Sequence, residues 1–189
     1  MRRNLGVKPH TIPQPVFMVA TYNEDGSANV MNVAWGGISE EDEISLCIDN
    51  KHKTALNLQK RSAFTVSMGE AEYYEACDYL GMVSGNKEPD KVSRAGFTMV
   101  AAEFVDAPMI QELAICIECE LKSYDPQSCR CVGTIVNISV DERVLTDSGK
   151  VDLTSFNPII FDSFNVEYRL IGDRVGKAFR DGLAWIKKA

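Results

Sequence analysis

The stretch Val16-Phe17-Met18-Val19-Ala20-Thr21-Tyr22, Asn23-Glu24-Asp25-Gly26, Ser27-Ala28-Asn29-Val30-Met31-Asn32-Val33-Ala34-Trp35 decides the fold. Val16 to Tyr22 is a β-branched and aromatic run, Asn23 to Gly26 carries turn chemistry, and Asn29 to Trp35 is an apolar returning strand, so the segment reads as a β-hairpin. Outward from it, Ile44 to Ile48 gives a third strand and Ala63 to Met68 a fourth. Ile115 to Tyr124 and Val132 to Val140 follow, separated by the Asp125-Pro126 turn, and Arg143 to Leu145 adds a short extension. Thr54 to Gln59 reads as a short helix with Thr54 at its N-cap, and Tyr73 to Leu80 as another. The turn-rich middle, Glu70 to Asp106, is expected to cap one barrel mouth. A closing helix is expected from about Gly176 to Lys188, with Ala178, Phe179, Leu183 and Ile186 on one face. Many strands and few helices predict a mainly β barrel with peripheral helices. No repeat or Pro/Gly-rich linker divides residues 1–189, which are expected to form one domain.

The overall charge excludes one class of partner. Twenty basic residues stand against 27 acidic ones, a net charge of −7, the wrong sign for a surface that collects nucleic acid nonspecifically. The weakly polar stretch from Thr11 to Asn23 is interrupted by Pro13 and Pro15 and is too short to cross a bilayer. Arg2 and Arg3 are followed by Lys8, Pro9 and His10 rather than an apolar leader segment, so a cytoplasmic location is expected. Against the acidic background, Lys51, His52 and Lys53 form a local basic cluster. With Asn50 and Thr54 it precedes a helix whose free N–H groups favour an anion.

Six cysteines include Cys116 and Cys119 spaced C-x2-C, and Cys129 and Cys131 spaced C-x-C. Ile115 to Leu121 alternates like a strand, which points residues three apart to opposite faces, a poor arrangement for one zinc ion. Buried thiols are the favoured reading, and zinc the alternative that elemental analysis would test. G-x-G-x-x-G, Walker A, G-x-S-x-G and H-E-x-x-H are all missing, and His10 and His52 are the only histidines. A triad or multi-histidine centre is therefore not built here, no catalytic residue is assigned, and a cofactor is expected to carry any chemistry.

A family likeness emerges from an ordered set of segments. Pro15-Val16-Phe17-Met18-Val19, Asn29 to Trp35 and Lys51-His52-Lys53-Thr54-Ala55-Leu56-Asn57-Leu58 come first. Ser84-Gly85, Asp90-Lys91, Val105-Asp106-Ala107-Pro108, Ile117-Glu118-Cys119-Glu120-Leu121, Tyr168-Arg169 and Gly176-Lys177-Ala178-Phe179 follow. Together they resemble the flavin reductase-like, FMN-binding split-barrel family in its flavoredoxin branch, over nearly the whole chain. The resemblance implies a six-stranded split barrel, a homodimer, and FMN at the barrel edge near the dimer interface. It also implies electron transfer or flavin-dependent reduction, with NAD(P)H or a redox protein as partner. Val30, Met31, Asn32, Val33, Ala34 and Trp35 would then run beside the isoalloxazine ring, with Asn32 offering a directed hydrogen bond. Asn50 and Lys51 would border the phosphate, Lys53 and Thr54 would contact it, and Ser84, Gly85 and Lys91 would lie on the flavin side. One departure matters: many relatives carry a histidine about five residues before the glycine matching Gly133, whereas this chain has Ser128-Cys129-Arg130-Cys131. Weak direct oxidation of NAD(P)H is the consequence expected, and Cys129 or Cys131 are candidates to face the flavin instead. A cofactor-free barrel that keeps the fold for binding is the alternative function.

Overall fold

The computed structural model describes residues 1–186. In chain order the strands are β1 (Gln14–Pro15), β2 (Phe17–Tyr22), β3 (Ala28–Val33), β4 (Gly36–Glu40), β5 (Glu43–Cys47), β6 (Ala63–Met68), β7 (Met99–Ala101), β8 (Pro108–Ile110), β9 (Ile115–Asp125), β10 (Arg130–Val140), β11 (Ile159–Asp162) and β12 (Glu167–Leu170). The helices are α1 (Lys53–Arg61), α2 (Tyr74–Met82), α3 (Lys91–Arg94) and α4 (Leu183–Ile186). The expected β2–β3 hairpin is present, closed by Asn23 N–H to Ser27 O at 2.8 Å and Gly26 N–H to Asn23 O at 3.1 Å. Gly26 supplies the positive φ (83°) this turn requires.

Seven strands form the main sheet, in the order β3-β2-β6-β9-β10-β5-β4, all neighbours antiparallel. The expectation of six is corrected: the added strand is β4, whose Gly36-Gly37 and Glu40 carry little strand propensity and whose place is fixed by pairing with β5. The order has a geometric consequence. β3 and β4 are the two edges of the sheet, yet only Ala34 and Trp35 separate them in sequence. Two linking residues span roughly 10 Å at most, so the sheet curls until its edges face each other across a narrow split.

Over β2, β3 and β6 both faces of this sheet are buried, which is why these strands read as apolar runs rather than strict alternation, while β4 and the second half of β9 are largely exposed. The inner face collects Val19, Met31, Val33, Ile44, Leu46, Phe64, Val66, Ile117, Cys119 and Cys131 with Ala55 and Leu58 of α1. The outer face sets Met18, Ala20 and Val30 against Cys77 and Leu80 of α2 and against Val92, Phe97, Ile110, Leu113 and Ile159. It is therefore α1 that lends side chains to the inner core, while the middle segment covers the outer face instead of a barrel mouth. Gly133 lies at a register shift in β10, where an added Cβ would overlap the Phe64 ring.

Three local expectations change. His52, not Thr54, is the cap residue of α1, and its side chain makes no capping bond. Glu142–Val144 is a 3-10 turn where a strand extension was expected. The closing helix shrinks to Leu183–Ile186, with Phe179, Leu183 and Ile186 exposed because no core lies opposite them; the end of the predicted helix falls outside the described residues. Among the described residues no helix is long and apolar enough to cross a membrane, and none of the cysteines is bridged. Cys116 pairs with Ser67 on β6 while Cys119 pairs with Phe64, positions whose side chains emerge on opposite faces of the sheet.

Candidate functional site

A two-lobed cleft lies where β3, the start of α1 and the 81–85 segment meet. One lobe, about 310 Å³, is lined by Asn29, Met31, Lys51 to Thr54, Leu80 to Gly85 and Lys91. The other, about 380 Å³, is lined by Met31 to Trp35, Cys47, Asp49, His52 and Cys129. Met31 and His52 belong to both lobes. The sizes suit a small cofactor, and the two lobes differ in chemistry.

The first lobe is built for an anion. The N–H groups of the first turn of α1 have no side-chain acceptor at the cap, no acidic residue stands in that turn, and Lys51 and Lys53 flank it. Uncapped first-turn N–H groups, the helix dipole and two ammonium groups all favour negative charge there. Thr54 is buried and its Oγ1 accepts a hydrogen bond from Asn29 Nδ2 at 2.8 Å, which leaves the hydroxyl proton for another acceptor. The loop opposite approaches so closely that a Cβ on Gly85 would overlap Asn29 Oδ1 and meet Lys53 Cβ at 3.4 Å. Glycine at 85 is thus what lets the two walls close around a small group.

Lys91 supplies the most informative atom. It is only 3% exposed, and its Nζ donates to Leu80 O at 3.0 Å and Val83 O at 2.9 Å. Among the described residues it has no carboxylate within ion-pair distance. Burial pushes its ammonium down to about 8, opposed by the charge of Glu88. An ammonium has three donors; two are used by carbonyls, and the third is left for whatever occupies the lobe that Lys91 lines. A buried charge without a counter-charge is costly, and an anionic ligand would remove that cost.

The second lobe is apolar and lies at the split in the sheet. β3 is an edge strand, so one row of its N–H and C=O groups has no strand partner. Trp35, 53% exposed, stands at the crossing from one edge to the other, its carbonyl accepting from Cys47 N–H at 2.8 Å. Asn32 lines the lobe, with its Nδ2 at 3.5 Å from Cys77 O. Cys129 lines it too, at a left-handed φ of 61°. Cys131 does not: it lies in the inner core, where burial pushes its thiol up to about 12.

Of the residues singled out from sequence, the structure brings thirteen to the cleft: Met31, Asn32, Val33, Ala34, Trp35, Lys51, His52, Lys53, Thr54, Ser84, Gly85, Lys91 and Cys129. Besides Cys131, two stand apart. The Val30 side chain is in the outer core, and Asn50 spends its Nδ2 on Pro126 O at 3.1 Å, tying down the 125–128 turn. The cleft residues Asn29, Cys47 and Asp49 were not among those site candidates. Strand alternation from Met31 back to Asn29 would have found the first.

The comparisons with known proteins agree with this geometry. The family model described as flavin reductase like domain matches residues 10–157. The structure of flavoredoxin from Desulfovibrio vulgaris (Miyazaki F) is 34% identical, with a TM-score of 0.92, covering 96% of this chain and 100% of that one. A flavoredoxin from Methanosarcina acetivorans shares the fold at a TM-score of 0.84 and 24% identity, covering 98% of both chains. An uncharacterized protein of Bacillus subtilis (strain 168), YdfE, is 23% identical over 184 residues, 87% of this chain and 86% of its own.

Proposed function

This chain belongs to the flavin reductase-like domain family, and from that premise we propose that its cleft holds FMN and that the protein works in flavoredoxin-like electron transfer or flavin-dependent reduction. The observation that carries the proposal is the buried Lys91 ammonium, with a donor left over, in the lobe that also contains an uncapped helix N-terminus and the Gly85 cradle. A phosphate ester satisfies all three at once. Lys53 and Thr54 would hold the phosphate by charge and by hydroxyl donation. Met31 to Trp35 would carry the ring, with free backbone groups on the edge of β3 meeting its polar rim. The bound flavin supplies one- and two-electron chemistry; the protein positions it and excludes water from its buried face.

The same reading makes residues 1–189 one FMN-binding domain in a cytoplasmic homodimer. Support for the dimer comes from Trp35, exposed at the open lobe, and from Ile38 of β4, exposed three residues further along the same sheet edge. A second copy covering them would shield the ring as well. Sedimentation of the FMN-bound protein should give twice the chain mass, and a monomer that retains FMN would remove the second copy from the site. The electron donor follows from the 128–131 stretch. With Cys129 in the stretch where many relatives carry a histidine, direct reduction by NADH or NADPH is expected to be slow, and a redox protein is the favoured partner. The test is the visible spectrum of the purified protein and its recovery after flavin removal and FMN addition, then anaerobic stopped-flow mixing with each nucleotide. A colourless protein that refuses FMN would defeat the cofactor reading, and rapid bleaching by either nucleotide would make the protein a reductase in its own right.

A further inference from the structure

The two cysteines of the open lobe are placed unlike the other four. Cys77, Cys116, Cys119 and Cys131 are buried, and burial pushes their thiols up to about 12, 11, 12 and 12. Such thiols behave as small hydrophobes. Cys47 is exposed at the end of β5, Cys129 is half-buried just before β10, and both line the lobe formed by Met31 to Trp35.

Their spacing follows from the ladder. Cys47 is the register partner of Arg130, and Ile48 N–H donates to Cys129 O at 2.8 Å, so the ladder continues with Cys129 beside Ile48. Cys47 and Cys129 are diagonal neighbours one residue out of register. That offset separates their Cα atoms by roughly 6 Å, inside the span a disulfide bridges. In a regular strand, diagonal neighbours of this kind point to opposite faces. The left-handed φ of 61° at Cys129 takes it out of that alternation, and both residues line one lobe. The Cys47 thiol senses its neighbour: burial raises it most, and Cys129 raises it further.

We propose that Cys47 and Cys129 form a dithiol–disulfide couple that exchanges two electrons with the flavin held in the same cleft, so that thiol and disulfide compounds are a substrate class of this protein. In the oxidising direction two S–H bonds break and one S–S bond forms between the two Sγ atoms. The two electrons and two protons pass to the oxidised flavin, leaving it two-electron reduced and doubly protonated; the reverse step returns them to the disulfide. An external disulfide reoxidises the pair by thiol exchange, releasing two thiols for each disulfide consumed. Coupling to flavin rests on the FMN reading above, whereas the couple itself rests on the ladder.

The test uses the full-length protein with its bound FMN. Equilibrated anaerobically with mixtures of reduced and oxidised glutathione, quenched with N-ethylmaleimide and weighed intact, the oxidised wild type should lose two alkylation sites. Peptide mapping should find Cys47 joined to Cys129. Cys47→Ser and Cys129→Ser should each prevent that link, with the flavin content of each variant read from its visible spectrum and the electron count taken per bound flavin. Anaerobic dithionite titration of the oxidised form should then take up four electrons per chain in the wild type and two in Cys129→Ser. Free thiols at both positions under oxidising conditions, or glutathione adducts alone, would overturn the couple. A wild-type titration that stops at two electrons despite a mapped disulfide would overturn its coupling to the flavin. A mapped disulfide in a chain that binds no flavin would defeat the proposed function and leave the couple standing, so the two failures are distinguishable.

Discussion

The two lobes of the cleft are continuous through Met31 and His52 but are built on different terms. The anion lobe is assembled from elements locked into two cores: α1 through Ala55 and Leu58, α2 through Cys77 and Leu80, and α3 through Val92. Its polar groups are directional and partly pre-paired, as with Asn29 to Thr54 and Lys91 to two carbonyls. The ring lobe is an edge strand, a two-residue crossover and an exposed tryptophan, open on one side. Preorganisation should therefore concentrate specificity in the first lobe, while the second contributes area that a second copy completes.

The contrast can be broken most severely at residue 85. A side chain in Gly85→Val would overlap Asn29 Oδ1 and push the 84–85 loop off Lys53. FMN affinity should fall about a hundredfold, the loss of a charged hydrogen bond or two at about 1.5–3 kcal/mol each. Riboflavin, which lacks the phosphate, should be nearly unaffected; equal losses for both ligands in fluorescence titration would mean the loop supports the ring instead.

Lys91 tests the same lobe through pH. Its ammonium is held down to about 8 in the fold against an ordinary 10.5. FMN favours the charged form, so its affinity should decline several-fold as pH rises through 8 and binding should take up protons. The other charges near Lys91 are Glu88 and the cleft lysines Lys51 and Lys53, and only Lys91 should account for a step lost in Lys91→Met. Between pH 8 and 10.5 the unfolded chain binds the extra proton, so the flavin-free protein should gain stability there as pH rises. Calorimetric affinities at pH 7 and 9 for both proteins check the first point, and chemical denaturation across that range checks the second. The smallest effect belongs to Trp35→Ala, with a loss of about 0.5–1.5 kcal/mol of ring contact that should weaken FMN and riboflavin alike. A loss confined to FMN would place Trp35 with the phosphate and erase the distinction between lobes.

Most of this arrangement is legible in the chain because its signals are local. The hairpin from Phe17 to Val33 follows from a turn between two apolar runs, and the anion lobe follows from a basic cluster ahead of a helix. The losses share one cause, which is tertiary context. β4 is held in place by β5 and, apart from Ile38, carries little strand propensity, so the seventh strand stays hidden. Val30 is held out of the cleft by its packing in the outer core with Cys77 and Leu80 of α2, which only the fold supplies. The apolar spacing of Phe179, Leu183 and Ile186 suggests a helix, but without a surface to bury it the described tail keeps a single turn at Leu183–Ile186. Cys47 joins Cys129 only through the β5–β10 register, which no sequence motif encodes.

The central claim is that one end of the cleft recognises a phosphate, and the ratio of FMN to riboflavin affinity measures it most directly. Isothermal titration of both ligands into the wild type, Lys53→Ala and Thr54→Val should show wild-type preference for FMN, weakening with added salt. Each variant should cut that preference by roughly ten- to a hundredfold while riboflavin affinity holds. Equal affinity for the two flavins in the wild type, or a preference untouched by either substitution, would contradict the account and leave Lys51 and Lys53 as ordinary solvated lysines at a helix start.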